Sequence, residues 1–302
     1  MLSLLLWGVA LAAALVPPPQ EQLLLRVAAA TDRGQSATST QRAHALALIR
    51  DLELNQDTTK VDPTLLNGKW QLVYATEAVY RSSPFFSAFK QSCKSRTTPI
   101  GVPSGAIQPG DSLAEAILAI TDAIPFYDVG NARQEMEGIL ADCFGYSVSD
   151  DGQTASSGPS VEVPSDTDSS SLPSSEALLT SKIDLSISRL FGLPVQSSVM
   201  TTTATINFLP TDDGGEDIEL ELKVQDTSAA QSTISALVPL LDNALQKFPS
   251  GSALDMVSKD SSIVRTRCTY LTDHMRVARP VLNLGDRGQD ASAAFVYIRE
   301  SS

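Results

Sequence analysis

The sequence predicts a mainly β fold entered through helices, and three observations carry that prediction. Residues Ile218 to Val224 (IELELKV) alternate apolar and charged side chains without a break, the period of a strand with one face in a core and the other in water. Similar short runs rich in β-branched and aromatic residues recur, including Lys69 to Tyr74, Val199 to Phe208 and Ala293 to Ile298. Ahead of all of them, apolar residues spaced three and four apart predict two helices.

Taken in order, the chain begins with an almost wholly apolar stretch from Leu2 to Val16. Small residues Ala12 and Ala14 close it just before Pro17-Pro18-Pro19, so residues 1–16 read as a signal or targeting segment cleaved near Ala14. A membrane anchor would need about 20 apolar residues, more than this run supplies. In the first helix Leu23, Leu24, Val27 and Ala28 share a face. In the second, from Thr40 to Leu54, Ala45, Leu48, Ile49 and Leu52 do so, with Ser39 or Thr40 available as the N-cap. Between them Thr31-Asp32-Arg33-Gly34 forms a turn, its glycine able to take positive φ and its aspartate able to bond the following amides.

Asn67-Gly68 then introduces a strand in which Trp70, Leu72 and Tyr74 lie on one face. Strands follow at Ile183 to Ser188, Val199 to Phe208 and Ile218 to Val224. Ile263 to Tyr270 and Met275 to Ala278 make a hairpin around Thr272-Asp273-His274, and Ala293 to Ile298 is the last strand. Residues 112–121 and an apolar stripe from Ile234 to Leu245 predict helices that interrupt this succession. Residues 150–176, rich in Ser, Asp and Pro, cannot bury enough surface to offset their ordering entropy and read as a disordered acidic loop. Too few strands precede that loop to close a sheet, so residues 20–299 read as a single domain.

Composition narrows the function. A net charge of -13 without a basic cluster argues against nucleic acid, whose phosphates are neutralised by clustered Lys and Arg. It equally opposes electrostatic attachment to anionic lipid, so any lipid contact is apolar. The three cysteines, Cys93, Cys143 and Cys268, lie far apart, form no CxxC pair and read as reduced structural thiols, with a single bridge between two of them left open.

Several segments together resemble the plastid lipid-associated protein, or fibrillin (plastoglobulin), family. LLLRVAAATDRGQSATSTQRAHALALIRDLELNQ is similar to the helical entry of the fibrillin domain, and LLNGKWQLVYAT (65–76) to its first barrel strand. SPFFSAFKQ (83–91) resembles the Pro-Phe-Phe element that follows, while DSLAEAILAITDAIPFYDVGNARQ (111–134), TYLTDHMRVAR and AAFVYIRE resemble later segments. The resemblance covers roughly residues 23 to 299, with the acidic loop and the stretch from Pro280 to Ser292 as insertions. It implies a lipocalin-like antiparallel β-barrel preceded by two N-terminal helices, with helical and disordered insertions. It also implies a plastid setting at thylakoids or plastoglobules and binding or coating of carotenoids, quinones or acyl lipids. The junction AAALVPP resembles the leader of algae whose plastids lie inside an endomembrane, where a signal peptide precedes the transit peptide.

No catalytic site, cofactor or metal site is expected. His44 and His274 are too few for a histidine metal site and read as solvated residues. A Gly-x-Ser-x-Gly elbow is absent from the sequence, and Gly101 and Gly105 match no phosphate-binding fingerprint. Glu219 with Glu221, and Asp212 with Asp213, read as solvated carboxylates. The candidate ligand-binding residues, as lining of the barrel, are Trp70, Leu72, Tyr74, Phe208, Tyr270, Arg276 and Tyr297. Asp273, Arg276 and Arg279 read either as a salt-bridged hairpin or as a group in which an arginine meets a carboxylate or quinone headgroup at the barrel mouth. Phe85, Phe86 and Phe89 read as core packing or as a lipid-surface contact. Burying a dozen methylenes, at about 0.8 kcal/mol each, offers roughly 10 kcal/mol before losses, so a lipid binder needs no catalytic signature. The rival is a barrel enzyme acting on an isoprenoid or carotenoid.

Overall fold

The computed structural model describes residues 19–56, 62–94, 127–140, 176–187, 196–209, 218–230, 248–257, 259–281 and 293–300. The expected targeting segment, both internal helices at 112–121 and 234–245, and the acidic loop up to residue 175 lie outside the described residues, as do Asp212, Asp213, Gly101, Gly105 and Cys143.

Two helices, α1 (Pro19–Ala30) and α2 (Ser39–Leu54), precede β1 (Gly68–Ala75). After α3 (Pro84–Lys94) come β2 (Tyr127–Glu137), β3 (Ala177–Ile187), β4 (Gln196–Leu209) and β5 (Ile218–Ala230). A short helix α4 (Ser250–Val257), β6 (Ile263–Leu271), β7 (Met275–Val281) and β8 (Phe295–Arg299) complete the described elements. Each strand pairs antiparallel with the next, and β8 pairs back onto β1, closing an eight-stranded up-and-down barrel. That is the arrangement lipocalins use, and closure removes both sheet edges.

The helical entry forms as its spacing predicts, except that the cap of α2 is Thr38, one residue earlier than expected. Thr38 Oγ1 accepts from Gln41 N at 3.3 Å, and Gln41 Oε1 accepts from Thr38 N at 2.9 Å, so the two residues satisfy each other's free donors. In the preceding turn Asp32, Arg33 and Gly34 all take positive φ. Gly34 is required there twice over: its φ is +89°, and a Cβ would lie 2.3 Å from the Ala75 carbonyl oxygen. The turn is thereby laid on β1, and Ala75 N donates to Arg33 O at 2.9 Å. Arg33 continues across to β2, donating to the carbonyls of Val129 and Gly130.

Several elements differ from expectation, among them α4 and the end of β5, which runs on to Ala230. β2 was not anticipated, because only Ala132 and Met136 among its described residues are buried and apolar and Gln134 stands between them. β3 starts at Ala177 rather than Ile183, and its buried positions Ala177, Leu179, Ser181 and Ile183 keep a period of two. The Pro-Phe-Phe element is helix α3, its proline at the first helical position, where no amide hydrogen is needed.

Two apolar clusters hold the fold together. The first fills the barrel and draws on all eight strands. The second joins Leu24, Ala28, Ala45, Leu48, Ile49 and Leu52 of the helices to Tyr74, Tyr270, Met275, Val277, Ala294 and Val296 on the barrel's outer face. β1, β6, β7 and β8 are therefore buried on both sides.

Candidate functional site

Inside the barrel, neighbouring strands set Leu72, Tyr297, Arg276 and Leu271 in one row, each paired with the next. The adjacent row, Tyr74, Val296, Val277 and Tyr270, faces the helices. Tyr74 and Tyr270, expected in the barrel lining, therefore stand outside it. The cause is a β-bulge in each strand: pairing with β8 shifts between Leu72 and Tyr74, and pairing of β6 with β7 shifts between Cys268 and Tyr270. An extra residue in a strand reverses the face of everything beyond it. Trp70, Leu72 and Tyr297 belong to the inner cluster, and Phe208 packs against it half-buried.

Arg276 is the exceptional inner residue, only 2% exposed although it carries a permanent charge. Its Cζ lies 4.2 Å from the centroid of the Tyr297 ring and 5.1 Å from that of Trp70. Nη2 donates to Gln134 Oε1, Nη1 approaches Met136 Sδ at 3.4 Å, and Nε has no partner among the described residues. Gln134 is held in turn by donating from Nε2 to Ser82 O at 2.8 Å. Burial pushes the proton affinity of Arg276 down, an effect the nearby Tyr297 and Cys268 oppose and Arg299 reinforces. Burial also pushes the Tyr297 phenol up to about 12, so it remains a neutral hydroxyl at physiological pH. A buried, unpaired cation costs several kcal/mol. Two desolvated cation–π contacts at about 2 kcal/mol each offset part of it.

Arg276 lines a cavity of about 50 Å³ enclosed by β2, β5, β6, β7, β8 and the start of α3. Leu220, Leu222, Val264 and Phe295 make much of its wall apolar. The volume suits a few waters or one polar headgroup and is well short of a long hydrocarbon chain. α3 covers it through Pro84 and Ser87. Phe85, Phe86 and Phe89 on the same helix are half-buried against the inner cluster, with Phe85 and Phe86 edge to face at 5.4 Å.

The residues of the 272–274 turn divide their tasks. Arg279 forms a two-pronged pair with Glu53 of α2, Nε to Oε1 at 2.7 Å and Nη2 to Oε2 at 3.0 Å. His274 is 38% exposed and lies between Asp273 Oδ1 and Glu21 Oε2, each 2.6 Å away. Glu21 itself is 0% exposed and also accepts from Tyr270 OH at 2.7 Å. His44 is exposed on α2. Glu219 and Glu221 pair with Arg267 and Arg265 on the neighbouring strand. Cys268 is a buried thiol that donates to Tyr270 O at 3.4 Å.

Sequence reasoning missed Gln134, Ser82, Arg81 and Arg265 at the cavity, and Glu21 on the helix. Glu21 is flanked by Gln20 and Gln22 in the sequence, so nothing local marks it as buried. Among the described residues no cluster of three or more His, Cys, Asp or Glu side chains could hold a metal ion, and no helix is long and apolar enough to cross a membrane.

No curated protein and no solved structure matches the chain. Residues 20–92, which take in α2, β1 and most of α1 and α3, match the PAP_fibrillin family model, that of the fibrillin or plastid lipid-associated proteins.

Proposed function

We propose that this chain binds a hydrophobic metabolite within its barrel and works in a plastid at the surface of thylakoids or plastoglobules. The observation that carries this reading is the closed barrel whose inner wall is largely apolar around a buried charged group, Arg276. The family match of residues 20–92 supports the plastid and lipid setting. The cavity in this state admits a headgroup, and the tail of a carotenoid, quinone or acyl lipid is accommodated when α3 moves away from the barrel end it covers. α3 rests there on half-buried phenylalanines and a few polar ties, such as Ser83 Oγ to Thr202 Oγ1 at 3.3 Å. The work is done by apolar burial and one anchoring group, a binder's chemistry rather than a catalyst's, and an N-terminal signal segment followed by a transit peptide would deliver the chain.

Mass spectrometry of an organic extract from the gently purified protein tests this. A defined lipid near one equivalent is the expected result. A protein that carries no lipid and takes up none of an added carotenoid, quinone or fatty acid is not an interior binder. Should it nonetheless float with lipid droplets, and cease to do so when Phe85, Phe86 and Phe89 are changed to Ser, it is a surface coat. Chemical change in the added lipid would make it the barrel enzyme instead.

A further inference from the structure

We infer that the preferred ligand is an amphiphile ending in a carboxylate, and that Arg276 is the residue that receives this anion. The inference rests on the interior-binding reading above and adds the ligand's charge.

Arg276 sets a buried cation against the cavity of a protein that is acidic overall. Among the described residues, Arg81, Arg265 and Arg276 line the cavity, no Asp or Glu does, and Arg276 is the buried one of the three, against a net charge of -13 for the whole chain. Arg81 and Arg265 have carboxylate partners, Glu77 at 3.2 Å and Glu221 at 3.4 Å. Arg276 has none among the described residues: it bonds the neutral Gln134 amide and the Met136 thioether and lies over the Tyr297 ring.

The geometry of the guanidinium is already arranged for recognition. Its Cζ lies over the Trp70 and Tyr297 rings, and the Gln134 amide, fixed by Ser82 O, holds Nη2. Nε is the donor left over. An ionised carboxylate supplies both what this donor lacks and the missing countercharge, whereas a quinone carbonyl or a carotenoid hydroxyl supplies only an acceptor. The cavity volume of about 50 Å³ is of headgroup size. A small free anion would satisfy the charge but leave the apolar wall of Leu220, Leu222 and Val264 without an occupant, so the carboxylate is placed on a hydrocarbon chain.

The test compares palmitate, hexadecanol and acetate as ligands of the delipidated full chain by titration calorimetry at neutral pH. A charge-assisted contact in a desolvated site predicts palmitate binding roughly 10- to 100-fold tighter than hexadecanol, with acetate far weaker than either. In Arg276→Gln the ratio between palmitate and hexadecanol should fall to about one, and Arg276→Lys should restore part of it. Tyr270→Phe, altered on the outer face, should keep the full ratio and controls for general loosening of the fold. Equal affinity for palmitate and hexadecanol overturns the inference while leaving the interior-binding reading intact. Acetate bound as tightly as palmitate overturns it in favour of a small-anion site, and a protein that binds a carotenoid or quinone but not palmitate also overturns it. Failure to bind any of these lipids removes both readings together. If Arg276→Gln does not fold, the palmitate-to-hexadecanol ratio of the unaltered protein and of Arg276→Lys still decides.

Discussion

Replacing Tyr270 by Phe separates the two faces of the barrel, because this residue stands outside the cavity yet holds the helices. Its hydroxyl donates to Glu21 Oε1 at 2.7 Å, and Glu21, on α1, is fully buried where it meets His274 of the 272–274 turn. Burial, then the hydrogen bond and the charge of Glu21, push the phenol well above its ordinary range, so it remains a donor throughout the working pH range. The substitution keeps the ring and removes one hydrogen bond to a buried carboxyl group, which costs about 1.5–3 kcal/mol. With a urea dependence of about 2 kcal/mol per molar, a loss of about 2 kcal/mol lowers the unfolding midpoint by roughly 1 M. Glu21→Gln measured alone and combined with Tyr270→Phe completes a cycle that isolates the coupling. Affinity for lipid should not change in Tyr270→Phe. An unaltered midpoint together with lost lipid binding would place Tyr270 inside the barrel and refute the assignment of the bulge after Cys268.

Two further changes test the attachment of the helices. Burial disfavours the charged form of His274, but bonding to Asp273 and Glu21 outweighs this and raises its pKa above the ordinary 6.5. Its contribution is therefore fully present below about pH 6.5 and is lost as pH rises through the raised folded value. The effect should stay below about 1 kcal/mol because the ring is partly solvated, and unfolding midpoints measured from pH 6 to 9 should fall less in His274→Gln than in the unaltered protein. Gly34→Ala forces a side chain into positive φ and against the Ala75 carbonyl, at a cost of about 1–3 kcal/mol. Hydrogen exchange should then quicken across α1 and α2 while β3 and β4, far from the turn, keep their protection.

Much of the barrel was legible because one-sided strands advertise themselves. In β5, Leu220, Leu222 and Val224 are buried while the residues between them reach solvent, as the alternation in IELELKV requires. The hairpin around 272–274 and the last strand were legible from their turn residues and their β-branched and aromatic content, and the α1–α2 entry followed from helical spacing and a glycine turn. β2 was hidden because its inner face is partly polar: Gln134 points inward and accepts from Arg276, so a buried polar residue interrupts the apolar pattern that would have revealed the strand.

The sequence by itself determined which segments become strands and helices, since periodicity and turn chemistry act over a few neighbouring residues. Only the tertiary structure decided which face of each strand is the inside. In β7, Met275 and Val277 look like the core side and Arg276 like the solvent side, yet α1 and α2 cover the first two and the charged residue lies within. A strand buried on both faces carries no local record of direction, and one extra residue, as after Leu72 or Cys268, reverses it. Closure through β1 and β8 joins segments more than two hundred residues apart in the chain, and their partnership is fixed by the whole sheet rather than by either segment.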